Sequence, residues 1–113
     1  MADLVYFISS DKIGSQDEEL GQTLMKNFML KLVQVYPKPT HILFIERGVK
    51  LLLPDFPALV ALKNLEAQGV RLLACQTCLD YYGIRDKIAV GEVSNMLEIV
   101  ETMTDAEKVI SIS

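Results

Sequence analysis

Short β-rich stretches recur along the chain. Most are continuously apolar rather than alternating, as expected of strands buried on both faces of a parallel sheet. Leu4-Val5-Tyr6-Phe7-Ile8, closed by Ser9-Ser10-Asp11, is the first; Ile42 to Ile45, Val70 to Ala74, Ile88 to Val93 and Lys108 to Ile112 follow. Between them the period becomes helical. After Gly14, Ser15 and Glu18 stand at capping-box spacing, and Asp17, Glu18 and Glu19 place negative charge at the positive end of a helix dipole, predicting a helix to about Tyr36. Leu20, Leu24, Phe28 and Leu32 form one stripe on it, and Met25, Met29, Val33 and Tyr36 a second. Two stripes exceed what one sheet contact needs, so part of this helix is expected to face another subunit. Pro37-Lys38-Pro39 stops it. Gly48 to Leu53 reads as a turn or short helical piece, and Asp55 is placed to cap a helix from about Phe56 to Gln68, stopped by Gly69. Leu79 to Tyr82, ended by Gly83, has room for one or two turns; Ser94 is placed to cap a helix carrying Met96, Leu97, Ile99, Val100 and Met103.

Strand and helix alternate through all 113 residues, with no repeat, low-complexity segment or linker. The pattern predicts a single domain, 1–113, built as a three-layer α/β/α sandwich around a mainly parallel five-stranded sheet. In such sheets chemistry gathers beyond the carboxyl ends of the strands. There, running straight out of the third strand, stands Cys75-Gln76-Thr77-Cys78.

Composition narrows the possibilities. Half the residues are hydrophobic and 23% are charged, a globular balance; 11 Lys and Arg against 15 Asp and Glu give a net charge of −4, with no basic run to hold phosphates, so nucleic acid is not an expected partner. The start, Met1-Ala2-Asp3-Leu4, carries an acid where a signal peptide needs bases, and no apolar stretch reaches the roughly 18 residues that span a bilayer. The expectation is a cytoplasmic protein with no membrane partner, where two cysteines point to thiol or metal chemistry before any structural bridge.

The thiolate is the nucleophile, and a thiol at a strand tip before helix N–H groups is expected to ionise more readily, which favours Cys75. Several readings compete. Buried cysteines are ordinary small hydrophobes. A zinc site needs about four ligands, and the chain offers two thiols and His41, which begins its strand and so lies at the opposite edge of the sheet, beyond reach as ligand or as base. No resident metal or other cofactor is expected. A thioredoxin-type reading needs a cis-proline loop downstream, whereas Pro37, Pro39, Pro54 and Pro57 all precede the motif. There remains a thiolate that carries sulfur as a persulfide, with the second cysteine able to resolve or receive it.

Ile8-Ser9-Ser10-Asp11, Gln16-Asp17-Glu18-Glu19-Leu20-Gly21, Leu24-Met25-Lys26-Asn27-Phe28, Gly48-Val49-Lys50-Leu51, the CxxC segment through Gly83, and Val90-Gly91-Glu92-Val93-Ser94-Asn95-Met96 occur in one order. Together they resemble the DsrE-like domain of YedF-type proteins, sulfurtransferase-like proteins of selenium metabolism. The resemblance spans essentially the whole chain. It implies a DsrE-type sheet and sulfur-relay subunits assembled as trimers or multiples, in which one cysteine accepts a persulfide sulfur and passes it on. The family's cysteine lies eight residues before the glycine ending the short helix, which here selects Cys75; Cys78 matches the extra cysteine of the YedF-type subset. YedF-type proteins often carry a TusA-like carrier domain with a Cys-Pro motif, absent from this chain, so the expected sulfur donor or acceptor is a separate, TusA-like protein.

Arg47 and Lys50 follow the second strand and are candidates to stabilise a thiolate or anionic partner, with an ordinary solvated loop as the alternative. Tyr81 and Tyr82 are candidate pocket walls or plain packing. Asp11, Asp17 and Glu18 are better explained by capping than by acid–base chemistry. The resulting expectation is a homo-oligomeric sulfur-handling or selenium-handling carrier with Cys75 reactive and Cys78 assisting. A non-catalytic interaction or redox-sensing module of the same fold is the alternative.

Overall fold

The computed structural model describes residues 3–112; Met1 and Ala2, part of the start weighed against a signal peptide, and Ser113 lie outside them. Five strands, β1 (Leu4–Ile8), β2 (His41–Phe44), β3 (Arg71–Cys75), β4 (Glu92–Ser94) and β5 (Lys108–Ile112), pair in the order β4-β3-β2-β1-β5 with every neighbour parallel. Four α-helices connect them: α1 (Glu18–Leu32), α2 (Leu59–Ala67), α3 (Gln76–Tyr82) and α4 (Met96–Asp105), with a 3₁₀ helix at Glu46–Leu52. This is the expected three-layer α/β/α sandwich.

The strand order explains how the layers fill. From β1 to β4 the chain steps across the sheet in one direction, and crossovers of one hand put their helices on one face. The return from β4 to β5 then carries α4 over the other face. Side-chain alternation follows: Ile8, Ile42, Phe44, Leu72 and Ala74 pack under Met25, Met29 and Leu32 of α1 and Leu62 and Leu65 of α2. Val5, Leu43, Leu73 and Cys75 point the other way and meet Ile99, the one fully buried residue of α4. At about 1.5–3 kcal/mol for each large apolar side chain withdrawn from water, the first face supplies most of the apolar stabilisation. Only one helix and a much smaller cluster cover the second.

Several boundaries differ from the sequence expectation. Asp17, not Ser15, caps α1, its carboxylate accepting from the N–H of Leu20 at 3.0 Å. The helix stops at Leu32 rather than Tyr36, tightening through i→i+3 bonds from Gln34 N–H to Lys31 and from Val35 N–H to Leu32. Pro37 and Pro39 demand extended backbone before them, and the β-branched Val33 and Val35 do little to prolong a helix. Asp55 caps nothing: α2 begins only at Leu59, without a side-chain cap. Asn95 caps α4, because Ser94 is drawn into the ladder opposite Cys75. The fourth strand is shorter than Ile88 to Val93; Val90 is buried in the first-face core, and Ala89 donates to the carbonyl of Leu52 at 2.8 Å, so that run serves as a packed loop.

Of the two stripes on α1, Met25 and Met29 with Leu32 face the core, while Leu20 (55% exposed) and Leu24 (42%) stay at the surface. Among the described residues, no helix is long and apolar enough to cross a membrane.

Candidate functional site

The elements that leave β3 and β4 depart to opposite faces. α3 packs against the 3₁₀ helix and the first-face core through Leu79, and α4 goes to the second face through Ile99. Adjacent strands whose connections diverge leave a crevice at their carboxyl ends, where ligands of open α/β sheets bind. Cys75 ends β3 and is paired with Ser94, which ends β4, so these two residues stand at that divergence.

Cys75 is at the strand tip as expected, but its thiol makes no cap to α3. The strand alternation turns it down into the second-face cluster with Val5, Leu43, Leu73 and Ile99, and it is 1% exposed. Ser94 beside it is likewise buried at 4% exposed and donates its hydroxyl to the Glu98 carboxylate. Glu98 lies 3.7 Å from Arg71, which is held more closely by Glu92 at 2.8 Å.

Cys78, the third residue of α3, is half-buried and packs against the clusters of both faces. The backbone N–H of Glu46 donates to its sulfur at 3.1 Å. Glu46 is the one non-glycine residue at positive φ (51°) among those described, a conformation that costs an L-residue about 1–2 kcal/mol. It follows Ile45, just beyond the end of β2, where the chain swings into the 3₁₀ helix. Gly48 makes that swing possible: a Cβ there would stand 2.4 Å from the carbonyl oxygen of Ile8. Burial pushes the Cys78 thiol above the ordinary range, against the lowering effect of the Glu46 N–H, and the neighbouring Cys75 pushes it up as well. Cys78 thus rests on the cluster that buries Cys75, with Cys75 covered and Cys78 reachable.

The other predicted residues lie around this pair rather than on it. Arg47 is engaged by Asp11 through two hydrogen bonds, at 3.3 and 3.2 Å. The Lys50 ammonium sits 4.5 Å from the ring centre of Tyr82. Both cations line a groove of about 680 Å³ with Asp11, Phe56 and Tyr82. Tyr81 is 83% exposed and meets Tyr82 edge-on at 5.2 Å, so Tyr82, not Tyr81, is the pocket wall. His41 begins β2, at the edge opposite Cys75, and bonds to Thr40. Among the described residues, no three His, Cys, Asp or Glu side chains gather closely enough to hold a metal. Sequence reasoning missed Glu46 and Ser94. Nothing in the sequence marks a glutamate as left-handed, whereas the place of Ser94 beside Cys75 follows only once the strand pairing is known.

The sequence matches the model of the DsrE/DsrF-like family over residues 3–112. The chain belongs to the DsrE/DsrF-like family. Solved structures agree on the fold of this DsrE-like chain. It superposes on the ychN protein from E. coli with a TM-score of 0.74 at 19% identity, covering 99% of this chain and 100% of that one. The protein of unknown function MTH1491 from Methanobacterium thermoautotrophicum gives a TM-score of 0.69 at 23% identity, with 96% and 97% covered. BT1422 from Bacteroides thetaiotaomicron, also of unknown function, gives 0.63 at 18%, with 97% and 95% covered. No curated protein matches the sequence.

Proposed function

We propose that this DsrE-like protein is a sulfur carrier of the YedF-type subset, holding a transferable sulfur as a persulfide on the Cys75–Cys78 pair. The observation that carries the reading is the pair itself: a covered and a reachable thiol, three residues apart, packed together in one cluster at the carboxyl edge where β3 and β4 diverge, the reachable one accepting a backbone N–H that steadies negative charge on sulfur. Burial favours Cys78 as the first acceptor, since a donor protein reaches it without displacing α4. The eight-residue spacing to Gly83, the left-handed cap of α3 (φ 67°), favours the reverse order, with loading at Cys75.

A TusA-like domain or protein is the natural candidate for donor or acceptor of the sulfur, or of selenium in its place. The apolar residues left at the surface, Leu20 and Leu24 on α1 and Met96, Leu97 and Val100 on α4, support a homo-oligomer. A sharp monomer mass in light scattering at micromolar concentration would refute that part.

The test of the reading is intact mass after incubation with a cysteine desulfurase and cysteine. A gain of about 32 Da that disappears when both cysteines are replaced by alanine is the expected result. No gain, with the protein folded, leaves a non-catalytic or redox-sensing module as the better description.

A further inference from the structure

We propose that Cys75 is a resolving thiol that discharges the sulfur held on Cys78 as hydrosulfide, leaving a Cys75–Cys78 disulfide that an external dithiol resets. The proposal rests on the carrier reading above and assigns the two thiols different parts in it.

Three observations carry it. The first is reach. The Cα separation of residues 75 and 78 is set by the dihedrals of Gln76 and Thr77, both within α3. Helical values there give about 5 Å, inside the roughly 4.4–6.8 Å that a disulfide requires. Cys78 already packs on the cluster that contains Cys75, so closing the bridge asks for no movement of β3 or α3 as a body.

The second is the direction of attack. Cys75 is 1% exposed beneath α4, while Cys78 opens partly to solvent. A sulfur added to Cys78 occupies the open side. Its outer atom is then the one a partner reaches, and the inner atom, Sγ of Cys78, is the one Cys75 faces. Attack on the inner atom gives a disulfide, whereas attack on the outer atom would need the added sulfur to enter the closed pocket formed by Val5, Leu43, Leu73 and Ile99.

The third is selectivity. Because Cys75 is covered, external oxidants and donors meet Cys78 first, and Cys75 acts only on what Cys78 brings. A resolving thiol needs this arrangement more than it needs intrinsic acidity, since contact replaces concentration.

The step balances within the pair. Sγ of Cys75 gives up its proton and forms a bond to Sγ of Cys78; the bond from Sγ of Cys78 to the added sulfur breaks, its electron pair leaving with that sulfur. The departing sulfur, reduced by two electrons, takes up the proton and leaves as hydrosulfide, while the two cysteine sulfurs are together oxidised by two electrons. An external dithiol then reduces the disulfide and is itself oxidised to a disulfide.

The experiment treats reduced wild-type, Cys75→Ala and Cys78→Ala proteins with inorganic polysulfide, desalts them, and follows intact mass and released sulfide. Alanine keeps the pocket around position 75 apolar. Cys75→Ala is expected to hold the added sulfur of about 32 Da, while wild type loses it at least tenfold faster. Wild type then ends about 2 Da below its reduced mass, with about one sulfide per chain, and dithiothreitol restores that mass. The tryptic peptide 72–85, which contains both cysteines, is expected to carry the loss. Wild type that keeps the added sulfur as long as Cys75→Ala overturns the proposal, as does disulfide formation without sulfide. Loading of Cys78→Ala but not of folded Cys75→Ala also overturns it, while leaving the carrier reading intact. If none of the three proteins takes up sulfur, the carrier reading itself falls. Should Cys75→Ala fail to fold, Cys78→Ala decides: it is expected to take up no added sulfur, and its loading overturns the proposal.

Discussion

Ile99 is the fully buried side chain through which α4 covers the cluster around Cys75, with Met103 partly buried beside it, and removing Ile99 is the sharpest test of the site's architecture. Ile99 is the one fully buried residue of α4, with Met96, Leu97 and Val100 of the same helix at the surface. Ile99→Ala deletes three buried carbons, which at about 0.8 kcal/mol each loses roughly 2.4 kcal/mol of transfer free energy before any cavity term. The loss falls on the docking of α4, because α4 packs on the sheet chiefly against β3 and the small second-face cluster. If α4 opens locally, a weakening of about 2.4 kcal/mol raises the open population roughly 50-fold. The assay is iodoacetamide alkylation of Cys75 in a Cys78→Ala background, read by mass spectrometry under conditions where opening and closing outpace reaction, alongside thermal melting. Cys75 alkylation is expected to accelerate by tens of fold, whereas the melt reports the smaller change in the whole domain. A background protein whose Cys75 already reacts like a free thiol would show that it is not buried. A rate unchanged by Ile99→Ala would show that α4 is not its cover.

Three further outcomes are expected. Glu46→Gly keeps the N–H that donates to Cys78 while removing left-handed strain of about 1–2 kcal/mol, offset by the glycine's greater unfolded-state freedom of about 0.4–1 kcal/mol. The variant should be as stable as wild type or up to about 1.6 kcal/mol more stable in urea titration. Its Cys78 alkylation midpoint should move to lower pH, because a nearby carboxylate that opposes ionisation is gone. Gly48→Ala should destabilise by at least about 1–3 kcal/mol in the same titration, since the new Cβ meets backbone at 2.4 Å and backbone cannot swing aside as a side chain can. Arg71 holds the Glu92 carboxyl below its ordinary range, so the pair's contribution is complete above the unfolded value of about 4.3 and is lost as pH falls through the lower folded value. Both side chains are about half exposed, so Glu92→Gln should cost no more than about 0.2–1 kcal/mol at pH 7 and nothing near pH 2.

The architecture was legible in the sequence because a parallel sheet writes itself as continuous apolar runs separated by helical periods. Leu4–Ile8 formed a strand at those bounds, and Gly83 ended the short helix as its spacing implied. Caps were less legible. Ser15, Asp17, Asp55, Ser94 and Asn95 are all good capping residues, and the choice among them was made by tertiary demands: Ser94 was taken by the ladder and Asn95 capped in its place. The run from Ile88 to Val93 misled for the same reason, since packing in a loop and packing in a strand ask for the same apolar side chains. At the site, the motif gave both cysteines but not their inequality. Nothing in Cys-Gln-Thr-Cys says which thiol is covered, because that follows from which face of β3 the last residue occupies.

The division between the two thiols belongs to the junction rather than to the cysteines. β3 ends with its final side chain facing the second layer, and α3 begins immediately, turning the chain back toward the first. Residues 76 and 77 are exposed on that turn, and Leu79 is buried in the first-face core. Position 78 alone in α3's first turns packs against both layers, above Cys75 and below solvent. A cysteine at 77 would be reachable but exposed on the turn, and one at 79 would be buried in the opposite layer from Cys75. Only the spacing of three yields a reachable sulfur resting on a covered one. The backbone of Glu46 then supplies the third contact from β2, at the cost of a left-handed residue. Three consecutive strands of the sheet thus each bring one group to the same edge: the N–H of Glu46 after β2, the thiol of Cys75 ending β3 with Cys78 turned over it, and the hydroxyl of Ser94 ending β4.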